Sequence, residues 1–468
     1  MANWFLSKWT IWLLVPLVLD YAVVAQNLKS TRGPLHPNKP LLLAWNAPTE
    51  DCGRHHGIRL QLDMFQIVAS RNEGYTRQNL TIFYRDHLGL YPYFESGTPV
   101  NGGLPQIASL THHLKKMPEG IGKYIHDRNA QGLAVIDWED WQPLWIRNLD
   151  AKNIYRNQSQ VLVFKKNPIW EQSRVIKVAQ QEFEMSGRRF MQETLRLAKS
   201  LRPNQLWGFY LFPDCYNNYR KNLEYYTGRC PDPEMARNDQ LKWLWTESTA
   251  LFPSIYIGSE LRSTPFARQF VRNRVKEGMR LASVGEGLAR PVFVCTRPTY
   301  ANELELLTET ELVYTIGESV ALGAAGIILW GDASYASSNA SCFSLNQYLR
   351  GSLGHYLLNV STAAEQCSKY VCNSHGRCLR RNPDTDTYLH LDARSHTLVT
   401  QGNGLTVTGQ PGTEELQRMR EDFRCQCFSS YQGDNCELQD ALYQKGGGHR
   451  LQALLVYCLL PLLLTLLS

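Results

Sequence analysis

The residues best suited to chemistry are two carboxyls set two apart, Asp137 and Glu139. They end the run Gly132-Leu133-Ala134-Val135-Ile136-Asp137-Trp138-Glu139-Asp140-Trp141. Strand side chains alternate, so both carboxyls point to one side and Trp138 to the other. The apolar stretch before them, opened by Gly and rich in Val and Ile, reads as a strand buried on both faces, which suits a parallel sheet. Paired carboxyls at the carboxyl end of such a strand are costly unless they are used, and in barrel enzymes that end is where catalysis sits. The competing reading is a pair of solvated strand-end carboxylates. Trp138 and Trp141 favour the catalytic reading, because aromatic faces suit the apolar faces of sugar rings.

A carboxyl pair needs a scaffold that presents it. Short apolar runs recur at Leu41 to Trp45, Phe65 to Ala69, Thr81 to Tyr84, Gly132 to Glu139, Leu206 to Phe212, Ser254 to Ile257, Pro291 to Thr296 and Gly326 to Trp330. Helical patterns lie between several of them. The clearest puts Ile176, Phe183, Phe190 and Leu197 on one face. Strands alternating with helices predict an α/β fold, a β/α barrel of the TIM type. Tyr210 with Asp214, Tyr256 and Trp330 lie at the ends of further candidate strands. Each alone reads as ordinary core; together, at the ends of several strands of one barrel, they read as a site.

A change of texture near Ser361 predicts a barrel over 26–361 and a small module over 362–440. Cys367-x4-Cys372-x5-Cys378 and Cys425-x-Cys427-x8-Cys436 have the spacing of an epidermal-growth-factor-like module carrying a long insertion. So small a segment needs cross-links, and six cysteines allow fifteen pairings that sequence does not separate. Its expected role is a structural cap on the barrel.

Residues 1–25 read as a secretory signal, with Lys8 before an apolar stretch and Val23-Val24-Ala25 as the cleavage site. Residues 441–468 read as a signal for a glycosylphosphatidylinositol anchor: Gly446-Gly447-Gly448, a short polar spacer and an apolar tail, with Gly446 as the candidate attachment site. A tail-anchored helix is the competing reading. Sequons at Asn79, Asn157, Asn339 and Asn359 agree with an extracellular product. Of the 12 cysteines, Cys458 falls in the tail and Cys295 sits in a buried-strand pattern; the other ten suit five disulfides in an oxidising compartment. A net charge of +6 is compatible with a polyanionic substrate without demanding one. His55-His56 and His112-His113 are adjacent pairs whose side chains diverge, so no metal is expected. There is no phosphate loop or nucleic-acid fingerprint, and no cofactor is implied.

The chain resembles the hyaluronidases of glycoside hydrolase family 56 over nearly its whole length. The resemblance is carried by Thr81-Ile82-Phe83-Tyr84, Gly132 to Trp141, Leu206 to Asn217, Asn238-Asp239-Gln240-Leu241, Leu251 to Tyr256 and Gly323 to Trp330. Leu329-Trp330-Gly331-Asp332 and the glycine-bounded tail look most like the lipid-anchored branch. The resemblance implies hydrolysis of β-1,4 bonds after N-acetylglucosamine in hyaluronan, with retention and with the substrate's acetamido oxygen as nucleophile. It implies Glu139 as general acid and then base, and Asp137 as the group that orients the acetamido. An ionised Asp137 would keep Glu139 protonated for its first task. Tyr210 and Tyr256 are implied to bond the acetamido and ring region, Trp330 to pack on its methyl, and Tyr84 to touch sugar. It further implies disulfides Cys52 to Cys342, Cys215 to Cys230, Cys367 to Cys378, Cys372 to Cys425 and Cys427 to Cys436.

One departure stands out. The family commonly has Arg after the second Trp of the motif, and this chain has Gln142, which offers no charge to a substrate carboxylate. Arg274, in the basic stretch Arg268 to Arg280, is a candidate for that contact, or else part of a solvated helix face. The rival functions are a non-catalytic hyaluronan-binding or adhesion receptor with an unknown surface partner, and a hydrolase that prefers chondroitin.

Overall fold

The structure, a computed structural model, describes residues 28–69, 78–218, 225–401 and 404–439. The expected signal at 1–25 and the anchor signal with Gly446 lie outside them.

Seven short parallel strands line up in chain order: β1 Leu42–Asn46, β2 Ile67–Ala69, β3 Leu80–Phe83, β4 Gly132–Ile136, β5 Gln205–Phe209, β6 Phe293–Thr296 and β7 Gly326–Trp330. They pair as β2-β1-β7-β6 and as β3-β4-β5. The expected strand at Ser254 to Ile257 forms only isolated bridges, from Tyr210 to Phe252, Leu251 to Val292 and Ser254 to Cys295. Pro253 and Pro291 remove two backbone donors there, so no continuous ladder forms. The segment still joins the sheets, since Phe293 N–H donates to Leu251 O and Ile255 N–H to Cys295 O, both at 2.9 Å. It occupies the sixth of eight positions in a β/α barrel. Among the described residues, no hydrogen-bonded ladder pairs β2 with β3.

Alternation along the strands divides the core. Leu42, Ala44, Ile82, Val135, Phe252, Cys295 and Ile328 fill the barrel interior, with Tyr84, Tyr210, Tyr256 and Trp330 packed on them. Leu43, Trp45, Phe83, Ile136 and Trp207 face the helices. The main helices are α1 Leu110–Tyr124, α2 Asn153–Lys166, α3 Gln172–Leu201 and α4 Pro265–Ala282. The buried stripe of α3 runs through Val175, Ala179, Phe183, Gly187, Phe190, Thr194 and Ala198, while the expected Ile176 is exposed. Spacings of three and four keep Val175 in line with Phe183, and Ile176 falls one position off that line.

The expected boundary at 361 falls inside a helix. α5 Ser352–Val371 runs through it unbroken, and Leu353, Leu357, Val360, Ala364, Cys367 and Val371 all join the main core. Beyond it, β8 Gly376–Arg380 pairs antiparallel with β11 Phe423–Cys427, and the intervening insertion holds the hairpin of β9 His396–Gln401 and β10 Gly404–Gly409. Disulfides close between Cys52 and Cys342, Cys215 and Cys230, Cys367 and Cys378, Cys372 and Cys425, and Cys427 and Cys436, while Cys295 is a buried free thiol. Asn79, Asn157 and Asn339 are exposed. Asn359 is half-buried on α5, its Oδ1 accepting from Leu391 N–H at 3.1 Å, so that side chain is already engaged in the fold.

Candidate active site

At the carboxyl ends of the strands opens a cavity of about 460 Å³ lined by Asp137, Glu139, Tyr210, Asp214, Tyr256, Arg274, Arg297 and Trp330, among others. Ladder hydrogen bonds hold its floor in register: Asp137 N–H donates to Phe83 O, and Tyr210 N–H to Ile136 O, both at 2.9 Å. Asp137 and Glu139 leave the end of β4 on one side, both line the cavity, and each shifts the titration of the other.

Burial raises the proton affinity of both carboxyls. Asp137, the more deeply buried, is pushed up to about 8 by desolvation and by the charge of Glu139. Two such groups in contact titrate as a pair, and the pair retains one proton across most of the acid-to-neutral range. Desolvation is the first cause of the upward shift at both carboxyls. Asp140 stands beside them, also shifted up by burial, and bonds Arg85 Nη1 at 3.3 Å. Half-buried Lys152, on the turn Asp150–Lys152, faces all three carboxyls, with burial lowering its own proton affinity.

The aromatic wall follows from three strand ends. Tyr210 and Tyr256 have ring centroids 6.4 Å apart and Tyr256 stacks on Trp330 at 6.4 Å. Tyr210 OH reaches Ser254 Oγ at 3.5 Å. Desolvation raises the proton affinity of both phenols, so they remain hydrogen donors. Tyr84 does not line the cavity itself; its hydroxyl accepts from Trp330 Nε1 at 3.4 Å. Leu211, in the left-handed region at φ 67°, turns the chain sharply after Tyr210, and both Tyr210 and Asp214 reach the cavity. Such a conformation costs a bulky side chain about 1–2 kcal/mol and persists where its surroundings fix it.

Three expectations change. Trp138 and Trp141 are buried in the layer behind the strand, stacked on Tyr91 at 4.5 and 5.6 Å, and do not line the cavity. Gln142 is buried too, its backbone tied to Asn148, and is absent from the cavity wall. Arg274 belongs to no solvated face: it is 3% exposed, pairs with Asp214 Oδ1 at 2.9 Å, and donates to Asn217, Asn218 and the Ser254 carbonyl. Sequence reasoning missed Lys152 and Arg297, which belong to no catalytic motif; Arg297 directly follows β6, and that position at a strand end is the signal that pointed to it.

Residues 30–440 match the hyaluronidase family model, Glyco_hydro_56. Hyaluronidase-2 of Homo sapiens is 49% identical over 432 residues, which are 90% of this chain and 91% of that protein. Hyaluronidase-2 of Ovis aries is 49% identical over 88% of this chain and 89% of its own, and a hyaluronidase of Echis ocellatus 44% over 87% and 92%. Bee venom hyaluronidase, solved in a monoclinic crystal form and in complex with a hyaluronic acid tetramer, superposes with a TM-score of 0.59 at 29% identity; the match covers 68% of this chain and 99% of the monoclinic bee chain. A β/α barrel with a carboxyl pair at its strand ends, matched over this length, makes the chain a member of the hyaluronidase family of glycoside hydrolases.

Proposed function

We propose that the protein cleaves internal β-1,4 bonds of hyaluronan after N-acetylglucosamine, with retention of configuration, and that it does so at the cell surface. The observation that carries the chemistry is that Asp137 and Glu139 leave one strand end on the same side of one cavity and sit close enough to shift each other's titration. Enzymes that use a carboxylate nucleophile set their two carboxyls ~5–5.5 Å apart across the scissile bond, and inverting enzymes set them further apart. Two carboxyls in contact on one side of a bond serve instead as one acid/base and one orienting group, with the nucleophile supplied by the substrate.

In this reading the acetamido N–H donates to Asp137. A donor favours the ionised form of its acceptor, so the shared proton passes to Glu139. Glu139 gives that proton to the leaving glycosidic oxygen while the acetamido oxygen attacks the anomeric carbon. Glu139 then takes a proton from the water that opens the cyclic intermediate. Tyr210 and Tyr256 donate hydrogen bonds to the acetamido and ring oxygens, Trp330 packs on the acetamido methyl, and Tyr84 supports Trp330. Arg274 and Asp214, saturated by one another and by their neighbours, shape the wall. The location rests on the apolar leader at 1–25 and on Gly446 before the apolar tail.

Full-length protein incubated with hyaluronan, chondroitin and chitin oligomers from acid to neutral pH, with sized products and the anomer read by NMR, tests the proposal. Retained β-anomer and even-numbered hyaluronan fragments are expected. Binding without cleavage, or an inverted anomer, would overturn the mechanism, and faster cleavage of chondroitin would overturn the substrate.

A further inference from the structure

Two arginines line the cavity, and they differ in what they have left to offer. All three guanidinium nitrogens of Arg274 are engaged: Nε with Asn217, Nη1 with Ser254 O, and Nη2 with Asn218 and Asp214. Arg297 is nearly as buried, at 8%, but its Nε has no hydrogen-bond partner. An unpaired buried donor is costly to leave and marks a place where a ligand atom completes the set.

The surroundings of Arg297 fix where it sits without satisfying it. It directly follows β6, and its guanidinium lies 5.0 Å from the Trp330 ring, 6.0 Å from Tyr256 and 5.7 Å from Tyr335. Nη2 bonds Asp332 Oδ2 at 2.9 Å. The Asp332 side chain is 39% exposed against 9% for Arg297, and its other oxygen accepts from Ser334 N–H. Solvent therefore screens the anion more than the cation, leaving positive potential on the Trp330 side of the cavity. A flat guanidinium fork seated on aromatic rings suits a carboxylate.

We propose that Arg297 is the carboxylate-binding residue of the cavity, taking the uronate of the sugar next to the N-acetylglucosamine. Gln142, buried off the cavity wall, offers no charge there, whereas Arg297 lines the cavity. This rests on the reading of the cavity as a site for a uronate-containing polymer.

The test is a cycle between protein and ligand at low salt. Full-length Glu139→Gln protein, and the same protein carrying Arg297→Gln, are titrated with a hyaluronan oligosaccharide and with its carboxyl-reduced counterpart. Arg297→Gln should weaken the native oligosaccharide roughly tenfold and the reduced one less than twofold. Because Arg297→Gln strips a cation from three rings, Asp332→Asn provides a second arm: Asn still caps the turn after it, and Arg297, freed of its partner, should bind the native oligosaccharide several-fold more tightly. Equal losses on both ligands, or no tightening in Asp332→Asn, would overturn the role of Arg297 while wild-type cleavage of hyaluronan leaves the functional reading intact. Failure of the wild type to cleave hyaluronan would overturn both.

Discussion

Glu139→Gln keeps the size and most of the hydrogen bonding of the native side chain but has no acidic proton to give. Loss of a general acid costs at least ~100-fold in kcat, with binding of the polymer nearly unchanged. Near wild-type turnover would remove Glu139 from the role proposed for it. The pH profile follows from the same pair. Activity needs one proton on Asp137 and Glu139 together, and burial holds that proton above the ordinary carboxyl range. The rate should therefore fall as pH rises through the raised value, and a profile still climbing above pH ~8 would contradict it. Stability carries the same sign. Folded Asp137 keeps its proton up to about 8, whereas the unfolded chain releases it near pH ~4. Between those limits the native state binds more protons, so stability declines as pH rises. Asp137→Asn removes this slope, and its melting temperature relative to wild type should be higher at pH 7.5 than at pH 4.5. An equal difference at both pH values would show that Asp137 is not protonated in the folded protein.

The elements that carry these residues were largely legible, for a stated reason: strands buried on both faces are unbroken apolar runs, and seven such runs are strands in the structure. The eighth, at Ser254 to Ile257, has the right composition, but Pro253 before it and Pro291 on the neighbouring segment deny it a continuous ladder. Alternation was also sufficient to place Trp138. The rule that sets Asp137 and Glu139 on the cavity side sets Trp138 on the other, so its burial behind the strand was implicit in the argument that used it as a sugar platform. Arg274 was not legible, since nothing in the basic run Arg268 to Arg280 separates the arginine that pairs with Asp214 from Arg272, buried against Glu318, or from the exposed Arg280. The bridging segment yields a prediction of its own. A Cβ on Gly208 of β5 would lie 2.4 Å from the backbone oxygen of Ala250, an atom fixed by the segment that joins the two sheets. Gly208→Ala should destabilise by about 1–3 kcal/mol, read from urea unfolding, and should lower kcat because Tyr210 and Ser254 lie on the two displaced elements. A variant as stable and as active as wild type would mean that the segment yields freely.

At the scale of the whole molecule, the cysteine-rich region is fastened to the barrel rather than appended to it. Thr31 lies between them, its N–H donating to Cys427 O at 2.9 Å and its hydroxyl to Ala289 O at 2.9 Å. Anchorage is a separate matter that depends on residues 441–468: cells expressing the full chain should release it on treatment with phosphatidylinositol-specific phospholipase C, and retention would favour a spanning tail. The firmest fastening is a buried ion network. Glu318 is fully buried; it accepts from Arg272 Nε of α4 at 2.7 Å and from Arg380 Nη1 of β8 at 3.4 Å. Arg272 Nη2 also bonds Asp386 at 2.8 Å, in the loop after β8. One carboxylate thus bridges a barrel arginine and a module arginine where water does not reach, with Asp386 supplying a second negative charge at Arg272. Removing the shared partner leaves Arg380 buried without its carboxylate and Arg272 with Asp386 alone, and breaking such a buried pair costs ~3–5 kcal/mol. Glu318→Ala should lower stability by that amount, and the barrel and the module should still melt together, as a single calorimetric transition matched by near-ultraviolet circular dichroism. Glu318→Gln, which keeps two hydrogen bonds but no charge, should fall between. Two resolved transitions in the wild type, with only the weaker one moved by Glu318→Ala, would show that the module folds independently and that α5 only appears to weld it to the barrel.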